Sequence, residues 1–258
     1  MSRLKTRKMK RSMKVFALML SGLLLAAPAV HAEDEVKTLE FSANVANTAS
    51  VQRGARDFMA YCSGCHSLKY LRYSRLGQDL GINDDQLKAN LIFDGSKPGE
   101  QIQTAMPAKE SEAWFGRTPP DLTLETKARG ADWVYSYLLG FYLDPSRPLG
   151  VNNLFLPGVS MPGVLGEACG WQAKTEGKGG AKEEGDGEGL PLKTVVPGSM
   201  DAAQCQAFVA DLTNFMAYAA EPIAKQRESV GWRVVFYLLF LLIPLTWFLK
   251  KEFWRDVH

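Results

Sequence analysis

Apolar positions along this chain recur at helical rather than strand periods. Val51, Ala55, Phe58, Met59 and Cys62 follow the i, i+4, i+7, i+8, i+11 spacing of one helix face. Trp133, Val134, Tyr137, Leu138 and Phe141 make a second face. Cys205, Phe208, Val209, Leu212, Phe215, Met216 and Ala219 make a third, cleaner than the others. Asp201 is placed to cap that third helix, with Gln204 three residues on as its reciprocal partner. Pro222 ends it. Alternation of period two is scarce. Stretches rich in Gly and Pro, at 95–99, 118–121 and 144–163, are expected as long loops. The run 176–189 holds nothing apolar larger than Ala and is expected as a flexible, solvated insertion.

Two apolar runs stand apart from these faces. Residues 234–249 contain no charge, and with Val230, Gly231 and Trp232 they give about 20 residues, enough to cross a bilayer as a helix. Arg233 lies near one end, where it can snorkel. Trp232 and Trp247 suit the two interfaces. Lys250, Lys251 and Arg255 follow at once, which places the C-terminus in the cytoplasm. Pro244 is expected to kink the span without forbidding it. A buried core helix would not need an apolar surface all round.

The other run is N-terminal. A basic stretch to Lys14 precedes apolar residues 15–27, and Val30 and Ala32 then form a cleavage site before Glu33. An uncleaved anchor is the alternative, but the run is shorter than the ~20 residues of a span. Either way the chain from Glu33 onward is exported, into an oxidising compartment. The layout is therefore a signal peptide at 1–32, an exported domain at 33–228, an anchor at 229–250 and a cytoplasmic tail at 251–258.

Composition sharpens this picture. With 46% hydrophobic and 22% charged residues among 258, the chain is neither a disordered tail nor a fibrous repeat. The net charge of +2 hides an asymmetry, because residues 1–32 carry seven Lys/Arg and no acid. Between Glu33 and Trp232 there are 19 Lys/Arg against 26 Asp/Glu, a balance of −7. No nucleic-acid partner is expected of such a domain. It favours basic partners, beside the plainer reading of ordinary solubility.

The chemistry concentrates at Cys62-Ser63-Gly64-Cys65-His66. Cys-x-x-Cys-His is the attachment signature of c-type haem. Two thiols three apart on a helical turn reach the two vinyl groups of one haem as thioethers. His66, beside the second thiol, then lies under the iron. A thioredoxin-like redox pair would not need His66. A zinc site would need a fourth ligand, and the only other histidine in the mature chain is His258. One covalently bound haem c is expected.

The sixth ligand is then a methionine, and a Met/His pair raises the reduction potential. The candidates are Met59, Met106, Met161, Met200 and Met216. Met59 shares a helix with Cys62 and cannot reach round. Met216 lies on a core-like face. Met106 and Met161 each precede a proline in an irregular loop, and spacing alone does not choose between them.

The motifs occur in a recognisable order. Cys62 to His66 is followed by Thr118-Pro-Pro-Asp-Leu122, then Arg129 and Trp133 to Gly140. Leu156-Pro-Gly-Val-Ser-Met161-Pro162 comes next, then Ala219-Ala-Glu-Pro222 and the apolar tail. This order resembles the cytochrome c1 family, the haem c subunits of the ubiquinol–cytochrome c reductase (bc1) complex. The resemblance implies a mainly α, cytochrome c-like haem domain with long loops and one C-terminal transmembrane helix. It implies Met161 as the sixth ligand, Pro119 and Pro120 packed on the haem, and Arg129 on a propionate. It implies a bacterial inner-membrane protein with its haem domain in the periplasm. Its partners would be cytochrome b and the Rieske iron–sulfur protein, with a soluble or membrane-bound cytochrome c as acceptor. No independent catalysis is implied, only electron transfer, with another tethered electron-transfer cytochrome, a haem enzyme or a gas sensor as the alternatives. Cys169 and Cys205 bracket the insertion and are expected to pair, the alternative being two buried free thiols.

Overall fold

The computed structural model describes residues 36–175 and 190–255. The expected signal peptide, the insertion at 176–189 and the last residues of the tail, His258 included, lie outside the described residues.

The fold is mainly α, built on two long helices. Helix α1 spans Thr48–Tyr61, capped by the Asn47 side chain on the Ser50 amide. Its face Val51, Ala55, Phe58 and Met59 is buried, as the sequence period requires. Three short elements follow, strand β1 (Leu68–Arg72) and helices α2 (Tyr73–Leu80) and α3 (Asp84–Asn90). Strand β2 (Gln101–Ile102) pairs antiparallel with β1. Helices α4 (Ala108–Phe115), α5 (Glu125–Arg129) and α6 (Ala131–Leu139) come next. Strands β3 (Phe141–Leu143) and β4 (Val151–Asn153) form a second antiparallel ribbon. The one-turn helix α7 (Gly166–Cys169) leads into a third, β5 (Trp171–Lys174) with β6 (Leu192–Val196).

Helix α8 (Ala202–Ala220) has the capping box foreseen at Asp201 and Gln204, and Glu221 ends it just before Pro222. Its apolar face crosses α1, with the Phe58 and Phe215 rings 5.4 Å apart. The crossing is close because Gly54 has no side chain. A Cβ there would overlap the Asp211 carbonyl oxygen and sit 2.7 Å from Phe215 Cβ. Polar groups flank the crossing. Arg53 donates to both oxygens of Asp211, at 2.5 and 2.9 Å, and Ser50 Oγ donates to the same carboxylate at 2.5 Å. Asn214 Nδ2 donates to Ser50 Oγ at 2.8 Å.

Two sequence expectations need correction. Phe141 is not on the second helix, which stops at Leu139; Gly140 intervenes and Phe141 opens β3. The stretch 144–163 is not all loop, because Val151–Asn153 pairs with β3 and is buried throughout.

Helices α9 (Ala224–Tyr237) and α10 (Ile243–Phe253) join through a π-helical turn at Leu238–Leu242. Together they form one helix of 30 residues, long and apolar enough to cross a membrane. That is ~45 Å against a hydrocarbon core of ~30 Å. From Lys225 to Arg255 every residue is exposed, so nothing in the described chain covers this surface. Pro244 has no N–H to give the preceding turn. The π turn sits directly before it, with the Ile243 amide bonded to the Leu238 carbonyl. Cys169 and Cys205 are joined as a disulfide, which ties α7 to the first turn of α8.

Candidate functional site

A cleft with about 1200 Å³ of atom-free space, its mouth included, opens between the turn after α1, the 118–122 loop, α6 and the 156–164 loop. Leu122, Val134, Leu138, Leu156, Val159 and Val164 make most of its wall apolar. Cys62, Cys65, His66, Pro119, Pro120, Arg129 and Met161 all line it. Residues separated by up to 99 positions in sequence thus meet around one space.

The thiol side is an extension of α1. The Cys62 amide bonds to the Phe58 carbonyl at 2.8 Å. The Cys65 and His66 amides both donate to the Cys62 carbonyl, at 3.0 and 2.9 Å. The turn therefore presents the two thiols one helical step apart. Thr104 braces it from outside, its Oγ1 donating to the Gly64 carbonyl at 2.8 Å. Burial pushes the Cys62 thiol up to about 12 and raises Cys65 as well. A redox-active pair needs the opposite shift, toward thiolate at neutral pH. The two cysteines are free and not joined to each other. Among the described residues, no three His, Cys, Asp or Glu side chains converge as a zinc site would require.

His66 is set for coordination. Its Nδ1 donates to the Pro120 carbonyl at 2.8 Å, which leaves Nε2 with its lone pair. Burial lowers its pKa, while the Pro120 contact and the Glu125 and Asp121 carboxylates oppose that shift. The 118–122 loop that supplies Pro120 is itself pinned. Asp121 accepts from the Lys69 amide at 2.8 Å, and the Leu122 amide donates to the Ser67 carbonyl at 3.0 Å.

The opposite wall is a ladder at four-residue intervals. Glu125 accepts from Arg129 Nε at 2.6 Å. The Arg129 guanidinium lies 4.3 Å from the Trp133 ring centroid, and Trp133 stacks on Tyr137 at 5.0 Å. The Tyr137 hydroxyl donates to Met161 Sδ at 3.4 Å. Met161 itself ends a loop held by two buried asparagines. Asn153 Nδ2 donates to the Tyr137 carbonyl at 2.8 Å, and its Oδ1 accepts from the Phe155 amide at 2.9 Å. Asn152 Oδ1 accepts from the Gly158 amide at 2.9 Å.

The candidate methionines separate by place. Met161 and Met216 border the cleft, Met216 from its buried position on α8. Met59 is in the core on α1, and Met200 packs against the same core. Met106 lies outside the cleft lining, its amide bonded to Thr104 Oγ1 at 3.1 Å. Tyr137 and Trp133 read in the sequence as an apolar helix face, and Asn152, Asn153 and Glu125 carried no signal at all. Their roles depend on which loops fold beside them.

The donor set fits a haem c. Two neutral thiols, an imidazole with one nitrogen committed elsewhere and a thioether sulfur face one apolar space wide enough for a flat macrocycle.

Comparisons with known proteins give the family of the chain. A family model described as Cytochrome C1 family matches residues 40–168 and 199–257. The stretch between them, left unmatched, contains the 176–189 run and both strands of the third ribbon. The chain is 47% identical over 240 residues to the cytochrome c1 of Allochromatium vinosum, covering 92% of this chain and 96% of that protein. It is 40% identical over 247 residues to a protein of Nitrosomonas europaea named ammonia monooxygenase gamma subunit, covering 95% and 100%. It is 25% identical over 257 residues to the cytochrome b/c1 of Bradyrhizobium diazoefficiens, covering 81% of this chain and 33% of that one.

Proposed function

The chain belongs to the cytochrome c1 family, whose members carry haem c, and from that premise we propose a membrane-anchored carrier of single electrons within a ubiquinol–cytochrome c reductase. It takes electrons from the Rieske iron–sulfur subunit and gives them to a mobile cytochrome c. The observation that carries this reading is the meeting of the Cys62 and Cys65 thiols, the His66 imidazole and the Met161 sulfur at one apolar cleft.

Haem c bound there supplies a one-electron ferric–ferrous couple. Cys62 and Cys65 would hold it by thioethers. His66 Nε2 would be one of its iron ligands, with the ring fixed by Pro120. Met161 Sδ would be the other and would favour the ferrous state. An imidazole and a thioether together would fill the two protein-donor positions and leave none for oxygen or carbon monoxide. Pro119 and Leu122 would exclude water, and Arg129 would neutralise a propionate. The helix at Ala224–Phe253 spans the inner membrane with the cleft domain in the periplasm and the C-terminus in the cytoplasm. Cytochrome b is the neighbour in the membrane, in keeping with the joined name of the Bradyrhizobium relative.

The name of the Nitrosomonas relative offers a second reading, a subunit of an oxygen-using enzyme. Oxygen activation needs an open coordination position, whereas this cleft supplies both an imidazole and a thioether donor. Detergent extraction and affinity purification of the full-length protein separates the two. Co-purification of cytochrome b and a Rieske protein, with haem retained on this chain after denaturation, is the expected result. A complex with monooxygenase subunits and no cytochrome b would overturn the proposal.

A further inference from the structure

The Tyr137 hydroxyl has one partner given by the geometry, the Met161 sulfur at 3.4 Å. Its ring is held on two sides, stacked on Trp133 and edge-on to Phe141 at 5.2 Å. Its backbone carbonyl also receives Asn153, whose other end fixes the Phe155 amide. The loop that delivers Met161 is therefore registered on the same residue that reaches its sulfur. Tyr137 is half-buried on the cleft wall.

A thioether sulfur has two lone pairs. When one is used for coordination, the other remains as a weak acceptor. A hydrogen bond to it withdraws electron density, which weakens donation to ferric iron more than to ferrous iron. We propose that the Tyr137 hydroxyl is a positioning donor to the Met161 sulfur in the haem-loaded protein and raises the reduction potential. This rests on Met161 as the axial ligand. Tyr137 does not touch the iron; it acts through the sulfur.

The test uses the intact complex, with haem loading checked by staining after denaturation. Tyr137→Phe keeps the ring and deletes the donor. The midpoint potential should fall and the sulfur-to-iron charge-transfer band should shift without vanishing. In a Met161→Leu background the same substitution should leave the potential where Met161→Leu alone puts it. A midpoint and band unchanged in Tyr137→Phe would overturn the inference. So would an equal fall in the presence and absence of Met161, which is what a packing role would give. Retention of the band in Met161→Leu alone would show that the ligand assignment had failed, a distinct result. A measurement without any variant stands behind these. Deuteration of the hydroxyl should shift the iron–sulfur stretch in the resonance Raman spectrum of the unaltered protein, and no shift would contradict the hydrogen bond.

Discussion

Met161 and Met106 carry the same Met-Pro dipeptide and differ only in where the fold puts them. Met161 borders the cleft, whereas Met106 lies outside its lining and is bonded to Thr104. Met161→Leu should therefore abolish the charge-transfer band, lower the potential and create carbon monoxide binding, while haem stays attached through Cys62 and Cys65. Met106→Leu should do none of these, and optical spectra with and without carbon monoxide decide the matter. The contiguous part of the site was legible from sequence because Cys62, Cys65 and His66 sit within five positions, and local chemistry defines their spacing. Asn152 and Asn153 were not legible. Their side chains act on backbone groups up to 16 residues away, and only the completed ribbon of β3 and β4 brings those groups within reach. Arg129 stands between these cases, since its sequence position was foreseen but its Glu125 and Trp133 contacts were not.

At the scale of elements, the long helices were legible and the ribbons were not. Helices α1 and α8 repeat their apolar face over three turns or more, which periodicity detects. Strands of two to five residues offer too few positions for alternation, and β4 is buried at every one. The crossing of α1 and α8 is the element contact on which the cleft depends, since Cys62 extends one helix and Met216 lies on the other. Gly54→Ala forces a methyl group into the Asp211 carbonyl. It should cost about 1–3 kcal/mol, read as a lower denaturation midpoint. The disulfide acts at the far end of α8. It closes a separation of 36 residues, a constraint of about 4 kcal/mol on the unfolded chain. Cys205→Ser should lower stability by up to that amount while haem staining persists. Loss of covalent haem in that variant would show that the disulfide shapes the thiol turn itself.

For the whole molecule, the exposed helix from Ala224 to Phe253 and the cleft domain make a tethered carrier. Glu221 stands at their junction, bridging Lys127 of α5 and Arg227 of the anchor helix. The Lys127 contact holds its carboxyl below the usual range; burial opposes it, and the charges of Arg227 and Lys127 add to the lowering. A depressed carboxylate favours the folded junction above its unfolded pKa, and that contribution fades as pH falls through the lower folded value. Charge flanks set the orientation of the anchor, so a reporter fused after His258 should work only in the cytoplasm, and one inserted near Asp201 only outside it. The reverse pattern would contradict a single outward-facing domain. The central claim is electron flow through this cleft, and rapid mixing of the oxidised, purified complex with ubiquinol tests it most directly. The c-type absorbance of this chain should become reduced, and ferric cytochrome c added next should reoxidise it with one electron per chain. A c-type haem that stays oxidised while cytochrome b is reduced, or stays reduced in the presence of ferric cytochrome c, would contradict the account.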